Sequence, residues 1–318
     1  MNKIALIFLG NLCAFQLALG QGSLTPPGPP APTMKTLDQV EARTAITNTS
    51  STVTLSQPGS YYLTHNLTVA AGDGIDIATY NVTLDLNGFT ISSSATNAGY
   101  FGIYLTSPSG PSDITIHNGF IKGSAVNVGG NIVGPGFYAG LSWNFGGGTV
   151  YGVHVHHLSV SGCQGQGILL PGGNLGTASF CTLVEDCQVR TIGGEGIQAE
   201  TILRCNAHEC GGQGIFAETA SDCHGETLNN NSVTAGIQAI TAHNCYGYCS
   251  SSGSGIVAYS ADNCFGFAGT NGIALFIFGN ALNCYGYCPG GTAISANVAN
   301  SCSVGAGTTS INFKYNMP

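Results

Sequence analysis

Gly255-Ile256-Val257-Ala258-Tyr259-Ser260-Ala261-Asp262-Asn263-Cys264 is one copy of a unit that the chain repeats. The unit reads Gly-Ile-x-Ala, a short spacer, then Cys. It recurs from Gly196-Ile197 to Cys205, from Gly214-Ile215 to Cys223 and from Gly236-Ile237 to Cys245. Ile to Cys is eight residues in each copy, and again from Ile294 to Cys302. Between them, Gly272-Ile273 to Cys284 is three residues longer, which predicts a bulge. Cysteines 187, 205, 223, 245, 264, 284 and 302 are spaced 18, 18, 22, 19, 20 and 18. Helical-pair repeats need more than about 30 residues, so a unit near 20 is one coil of a β-solenoid.

Working towards the N-terminus, Val82-Thr83-Leu84-Asp85-Leu86-Asn87-Gly88-Phe89 returns as Ile114-Thr115-Ile116-His117-Asn118-Gly119-Phe120 and as Val153-His154-Val155-His156-His157. Strand alternation turns Val82, Leu84, Ile114, Ile116, Val153 and Val155 inward, and Thr83, Asp85, Thr115, His117, His154 and His156 outward. The residue before each ladder cysteine is Asp186, Arg204, Asp222, Asn244, Asn263, Asn283 or Ser301. Asn and Asp tolerate the left-handed conformation of a sharp corner, and Gly before Ile is expected to do the same at another corner.

These stretches, above all Val82 to Ile91 followed by the Gly-Ile/Cys ladder, resemble the pectate-lyase-like right-handed parallel β-helix superfamily, on its carbohydrate-binding and sugar-hydrolase branch. Residues 25–46 with Gln57 to Leu63 resemble uncharacterised secreted bacterial β-helix proteins. The resemblance covers about residues 25–310. It implies an all-β, single-stranded right-handed parallel β-helix. It implies no single activity, because the superfamily hosts lyases, hydrolases, binding proteins and adhesins.

The expected organisation has five parts. Residues 1–20 read as a signal peptide: Lys3 precedes a mostly apolar run from Ile4 to Leu19, with cleavage before Gln21. That run is short of the roughly 20 residues of a membrane span, and no later run is long enough. Residues 21–35 are a Pro-rich linker. Residues 36–70 are a cap, with a short helix over Thr36–Arg43 and a strand-turn-strand to Leu63. The β-helix fills 71–310, and 311–318 is a tail. The expected location is secreted, cell-surface or periplasmic.

Composition narrows the partners. Of 318 residues 48 are Gly, only 7% are charged, and the net charge is -8. This charge density is too low for an acidic disordered tail, and Gly does not fall at every third position as in collagen. With no Lys/Arg run, nucleic acid and anionic membranes are excluded as partners of choice. Polysaccharide or cell-surface glycan remains, though an acidic polymer would be repelled without a bridging cation.

Four constellations carry chemistry. Twelve cysteines remain after signal cleavage, and Cys245-Tyr246-Gly247-Tyr248-Cys249 and Cys284-Tyr285-Gly286-Tyr287-Cys288 are identical five-residue stretches. Read as turns folded at the middle Gly, they predict disulfides Cys245–Cys249 and Cys284–Cys288, with the ladder cysteines as buried thiols. Zinc would want two Cys-x-x-Cys pairs or added histidines, and neither spacing occurs. The outward column Asp85, His117 and His156, with His154 and Glu185 beside it, has the donors for a divalent metal. Glu200 and Glu218 follow Gly-Ile-x-Ala in adjacent coils, so both face outward about 5 Å apart, near the carboxyl separation of retaining glycosidases. Tyr100, Phe101, Tyr104, Phe137, Tyr138, Trp143, Phe145 and Tyr151 crowd the N-terminal coils, where sugar rings stack on such faces.

Other motifs are missing. The Asp-Asp pair, Gly-His-Gly and Arg-Ile-Lys of polygalacturonases do not occur, and no Lys or Arg stands in a lyase-like setting. The sequence therefore favours a non-catalytic carbohydrate-binding or surface protein, with a polysaccharide lyase or glycoside hydrolase as the alternative.

Overall fold

A computed structural model describes residues 43–144, 150–172, 180–229 and 234–317. The expected signal peptide and linker, and nearly all of the expected short helix, lie outside the described residues. Inside them every regular element is a strand. Twenty-five strands join in one hydrogen-bonded set. Val126–Val128 and Asn131–Val133 form a separate antiparallel hairpin on an excursion.

Every pairing in the large set is parallel, and its register resolves into three ladders. The first runs from Thr44–Ile46 through Val82–Asp85 to the end of Ser303–Tyr315. The second runs from Leu67–Val69 through Gln188–Ile192 and Tyr246–Cys249. The third runs from Val53–Leu55 through Ile75–Ile77 to Ile197–Leu203 and beyond. Crossovers between parallel strands are right-handed as a rule, and the chain forms the right-handed parallel β-helix that its repeat predicts.

The third ladder carries the clearest core column. Ile75, Ile103, Leu141, Ile168, Ile197, Ile215, Ile237, Ile256, Leu275 and Ile294 stand in register on successive coils. All ten are fully buried. No single coil covers its own inward face, so each isoleucine is buried only by the coils above and below it. Each such side chain contributes about 1.5–3 kcal/mol.

The corner between the first and second ladders is one residue in the left-handed region. Asp186, Arg204, Asp222, Asn244, Asn263, Asn283 and Ser301 have φ of 50–55°, and Asn87, Asn118 and His157 make the same corner in earlier coils. The cysteine after each corner points inward. Its thiol donates to the carbonyl two residues back, at 3.0–3.4 Å, from Cys187 to Glu185 through Cys302 to Asn300. Cysteine suits the position because it stacks as a small hydrophobe and its S–H satisfies a corner carbonyl.

The glycine before isoleucine works differently from the expectation. Gly196, Gly214 and Gly255 do not have positive φ. A Cβ on Gly196 would come within 2.4 Å of the Gly214 carbonyl oxygen, and one on Gly255 within 2.6 Å of the Ala274 oxygen. These glycines permit close stacking of neighbouring coils.

Two boundaries shift. Residues 44–69, expected in a cap, pair in parallel with the next coil and are themselves solenoid. The strand Ser303–Tyr315 carries the solenoid into the expected tail. There Lys314 takes the inward place held by Ala242, Ala261, Ala281 and Ala299, and its Nζ donates to Thr309 Oγ1 at 3.1 Å. A lysine at that place blunts the exposed strand edge against further pairing. The long repeat at Gly272 does hold a bulge, where the register shifts between Ile277 and Asn280.

The disulfide expectation is corrected. Cys245, Cys249, Cys284 and Cys288 are all buried thiols. Tyr246–Cys249 and Tyr285–Asn300 are strands rather than turns. Four extended residue-to-residue steps separate Cys245 from Cys249 by about 13 Å, beyond the Cα separation a disulfide allows.

Candidate functional site

The histidine column forms in the expected register: Asp85 pairs with His117, His117 with His156, and His156 with Glu185. Its chemistry is that of an ion-paired strip. Arg43 reaches Asp85 Oδ2 at 3.2 Å, while His117 Nδ1 stands 3.7 Å from Oδ1. At the other end His154 Nε2 meets Glu185 Oε1 at 2.8 Å. Arg204 bridges Glu185 at 2.6 Å and Asp186 at 2.8 Å. Burial pushes the Glu185 carboxyl up, but the bonds from Arg204 and His154 outweigh it and hold it below the usual range. His156 is lowered by burial and then by His154, His117 and His157 around it. The rings of His117 and His156 stack at 4.9 Å and 2° between planes, so they face each other and their nitrogens do not converge. Among the described residues no three His, Cys, Asp or Glu side chains gather as metal ligands. The divalent-metal reading of Asp85, His117, His154, His156 and Glu185 therefore has no preformed ligand set.

Glu200 and Glu218 lie in matching places on adjacent coils, between the paired alanines and threonines. Glu200 Oε2 accepts from the backbone N–H of Phe180, at 2.9 Å, and of Cys181. That carboxylate anchors the chain just before the strand Thr182–Glu185. Glu218 is raised by burial and then by Glu200.

A carboxyl pair escaped the sequence reading. Asp76 stands beside Tyr104 in register, close to Asp73, and its Oδ1 is buried without a hydrogen-bond partner. Asp73 Oδ1 accepts from the Phe101 N–H at 2.7 Å, and Phe101 stacks on Tyr104 at 4.4 Å. Burial and then the Asp73 charge push Asp76 from 3.8 up to about 6. A carboxyl raised on folding favours the folded state while protonated. Its contribution is complete below about pH 3.8 and lost as pH rises through about 6. Asp76→Asn is expected to stabilise the protein at pH 7 by about 1 kcal/mol, after solvent screening at a half-exposed site, and to do nothing at pH 3.5. Chemical denaturation of both proteins at the two pH values checks this; equal stability at pH 7 would remove the pair as a cause.

The larger feature that the sequence reading missed lies on the second ladder. Tyr246 and Tyr248, expected in turns, point outward on a strand. Tyr246, Phe265 and Tyr285 stack in one column at 5.0 and 5.0 Å, with His224 above them at 4.6 Å. Tyr248, Phe267 and Tyr287 make a second column at 4.8 and 5.4 Å. His208 closes the top, 4.5 Å from the His224 ring and 3.0 Å from Glu226 Oε2. Burial and then His208 lower His224.

The first aromatic column borders a groove of about 620 Å³ that follows the corner along the solenoid axis. On one side stand the corner residues Arg204, Asp222, Asn244, Asn263 and Asn283. On the other stand His224, Tyr246, Phe265 and Tyr285, and the ladder cysteines form the floor. Asn244 Nδ2 donates to Asp222 Oδ1 at 3.1 Å, which links two coils of the polar wall. A second groove of about 420 Å³ follows the same corner at Asn118, His157 and Asp186. Of the N-terminal aromatics, Tyr100, Tyr138 and Tyr151 are exposed and Phe137 is core; Phe145 lies outside the described residues.

No family model matches the chain, and no curated protein matches it. Among solved structures it is similar to the Dettilon tailspike protein (gp208), at 9% identity and a TM-score of 0.39, over 86% of this chain and 61% of that one. It is also similar to full-length tailspike protein 2 from the Escherichia coli O157:H7 bacteriophage CAB120, at 12% identity and a TM-score of 0.33, over 84% of this chain and 37% of that one. The chain thus spans less than two thirds of either tailspike. Its own continuous parallel ladders decide the fold. It is a parallel β-helix. In this β-helix the candidate site is a surface groove on a rigid stack of coils, and among the described residues no helix is long and apolar enough to cross a membrane.

Proposed function

We propose that the protein is an exported, non-catalytic carbohydrate-binding protein that lays a neutral polysaccharide or cell-surface glycan along the corner groove. The observation that carries this reading is the pairing of two walls at the same one-coil period. Corner amides at Asn244, Asn263 and Asn283 face the column Tyr246, Phe265 and Tyr285. Amides both donate and accept, as sugar hydroxyls require, and ring edges give an apolar wall. A chain of repeating sugars meets the same chemistry at each coil. The net charge of -8 and the single arginine of the groove, already paired with Glu185 and Asp186, favour a neutral polymer. Export rests on the signal-like residues 1–20.

The test is calorimetric titration with a panel of neutral and acidic polysaccharides, together with an assay for reducing or unsaturated ends. Saturable binding of a neutral polymer without chain cleavage is expected. Cleavage would favour the lyase or hydrolase reading, and binding confined to acidic polymers would contradict the groove chemistry.

A further inference from the structure

The seven ladder cysteines, from Cys187 to Cys302, occupy consecutive coils without a gap, because the residues after them pair in unbroken register from Gln188 and Asn206 to Tyr285 and Ser303. All are at most 3% exposed. Neighbouring cysteines therefore stack directly on one another from coil to coil. The Cys187 N–H also donates to Cys205 Sγ at 3.4 Å, as does the Cys284 N–H to Cys302 Sγ.

Stacked coils rise about 4.8 Å. A disulfide needs its sulfurs about 2.05 Å apart, which parallel side chains one coil apart do not approach without moving backbone. Two metal–thiolate bonds of about 2.3 Å in a line span about 4.6 Å, close to the coil rise. A linear site needs only two donors, and thiolate is the ligand that selects copper(I) over harder ions. We propose that this thiol column takes soft monovalent cations, copper(I) or silver(I), one between each pair of neighbouring coils.

The charges balance. Each cation displaces one thiol proton, and each interior thiolate bridges two cations. Six cations across seven sulfurs release six protons, keep one thiol, and leave the column neutral, so no net charge is buried. No oxidation or reduction takes place. Cys205, Cys223, Cys245 and Cys264 lie directly beneath the corner groove, so local opening of one coil corner admits a cation. The fold also supplies an internal contrast. Cys163, Cys210 and Cys249 share another inward column but alternate there with Ile192, Thr227 and Ala268, so none has a thiol on the next coil.

The experiment uses the full reduced chain carrying Cys13→Ser and Cys181→Ser, titrated with silver(I), and anaerobically with copper(I). Bound ions are counted by native mass spectrometry, released protons by pH-stat, and copper ligands by X-ray absorption. Six ions, six protons and two sulfur ligands per copper are expected. Cys245→Ala/Cys264→Ala leaves only the pairs Cys187–Cys205, Cys205–Cys223 and Cys284–Cys302, so the count should fall to three. Cys210→Ala/Cys249→Ala should keep six. If the first double variant does not fold, Cys187→Ala alone should lower six to five. No uptake by the native protein, nitrogen or oxygen ligands on copper, or a count that follows Cys210 and Cys249 instead would overturn the proposal.

Discussion

Replacing Asn244, Asn263 and Asn283 together by glycine is expected to weaken binding of the neutral polysaccharide about 100-fold while the fold survives. The corner needs φ near 51–52° at these positions, and glycine adopts that conformation more readily than asparagine does. The substitution therefore removes the groove's amides without straining the coil. A hydrogen bond contributes about 0.5–1.5 kcal/mol, so three amides supply about 3 kcal/mol, and each 1.4 kcal/mol is tenfold in affinity. Titration of variant and parent with the same polymer measures the loss. A melting curve run alongside separates it from unfolding. Unchanged affinity in a folded triple variant would take the polar wall out of the site.

The largest effect on stability is expected at the centre of the isoleucine column. Ile237 is fully buried between Ile215 and Ile256. Ile237→Ala removes three carbons from a stack that cannot collapse, because the backbone hydrogen bonds of both neighbouring coils hold their spacing. A cost of about 2–5 kcal/mol follows from the lost burial and the cavity left behind. Gln238→Ala, one residue away on the outward face, should cost less than about 0.5 kcal/mol. Equilibrium denaturation of the pair gives the contrast. Similar small losses at both positions would mean that the column does not carry the core.

What the sequence revealed, and what it hid, divides along the register. The unit from Gly to Cys was legible because the C-terminal coils repeat it, and the column Asp85–His117–His156–Glu185 was legible because the alternation of inward aliphatic residues aligns those coils without gaps. The aromatic columns were not, since coils of 18 to 22 residues conceal which tyrosine stands above which phenylalanine. Gly247 misled in a specific way. It suggested a turn, yet it is glycine because a Cβ there would lie 2.1 Å from the Gly255 carbonyl oxygen. Once that position is a strand, Tyr246 and Tyr248 must face outward and both cysteines inward, which removes the disulfide and exposes the groove wall at once. The role of Glu200 was hidden for another reason: its bonds go to Phe180 and Cys181, just before the strand Thr182–Glu185 and outside the repeating unit.

The groove binds through repetition, so chain length is the variable that tests it. From Arg204 to Asn283 the groove crosses four inter-coil steps, about 19 Å at 4.8 Å each. Affinity for a size series of one neutral oligosaccharide, measured by calorimetry, should rise with each added ring until the chain spans about 19 Å and then level off. Affinity already at its limit for a single ring, or absent at every length, would contradict a binding groove that runs along the corner.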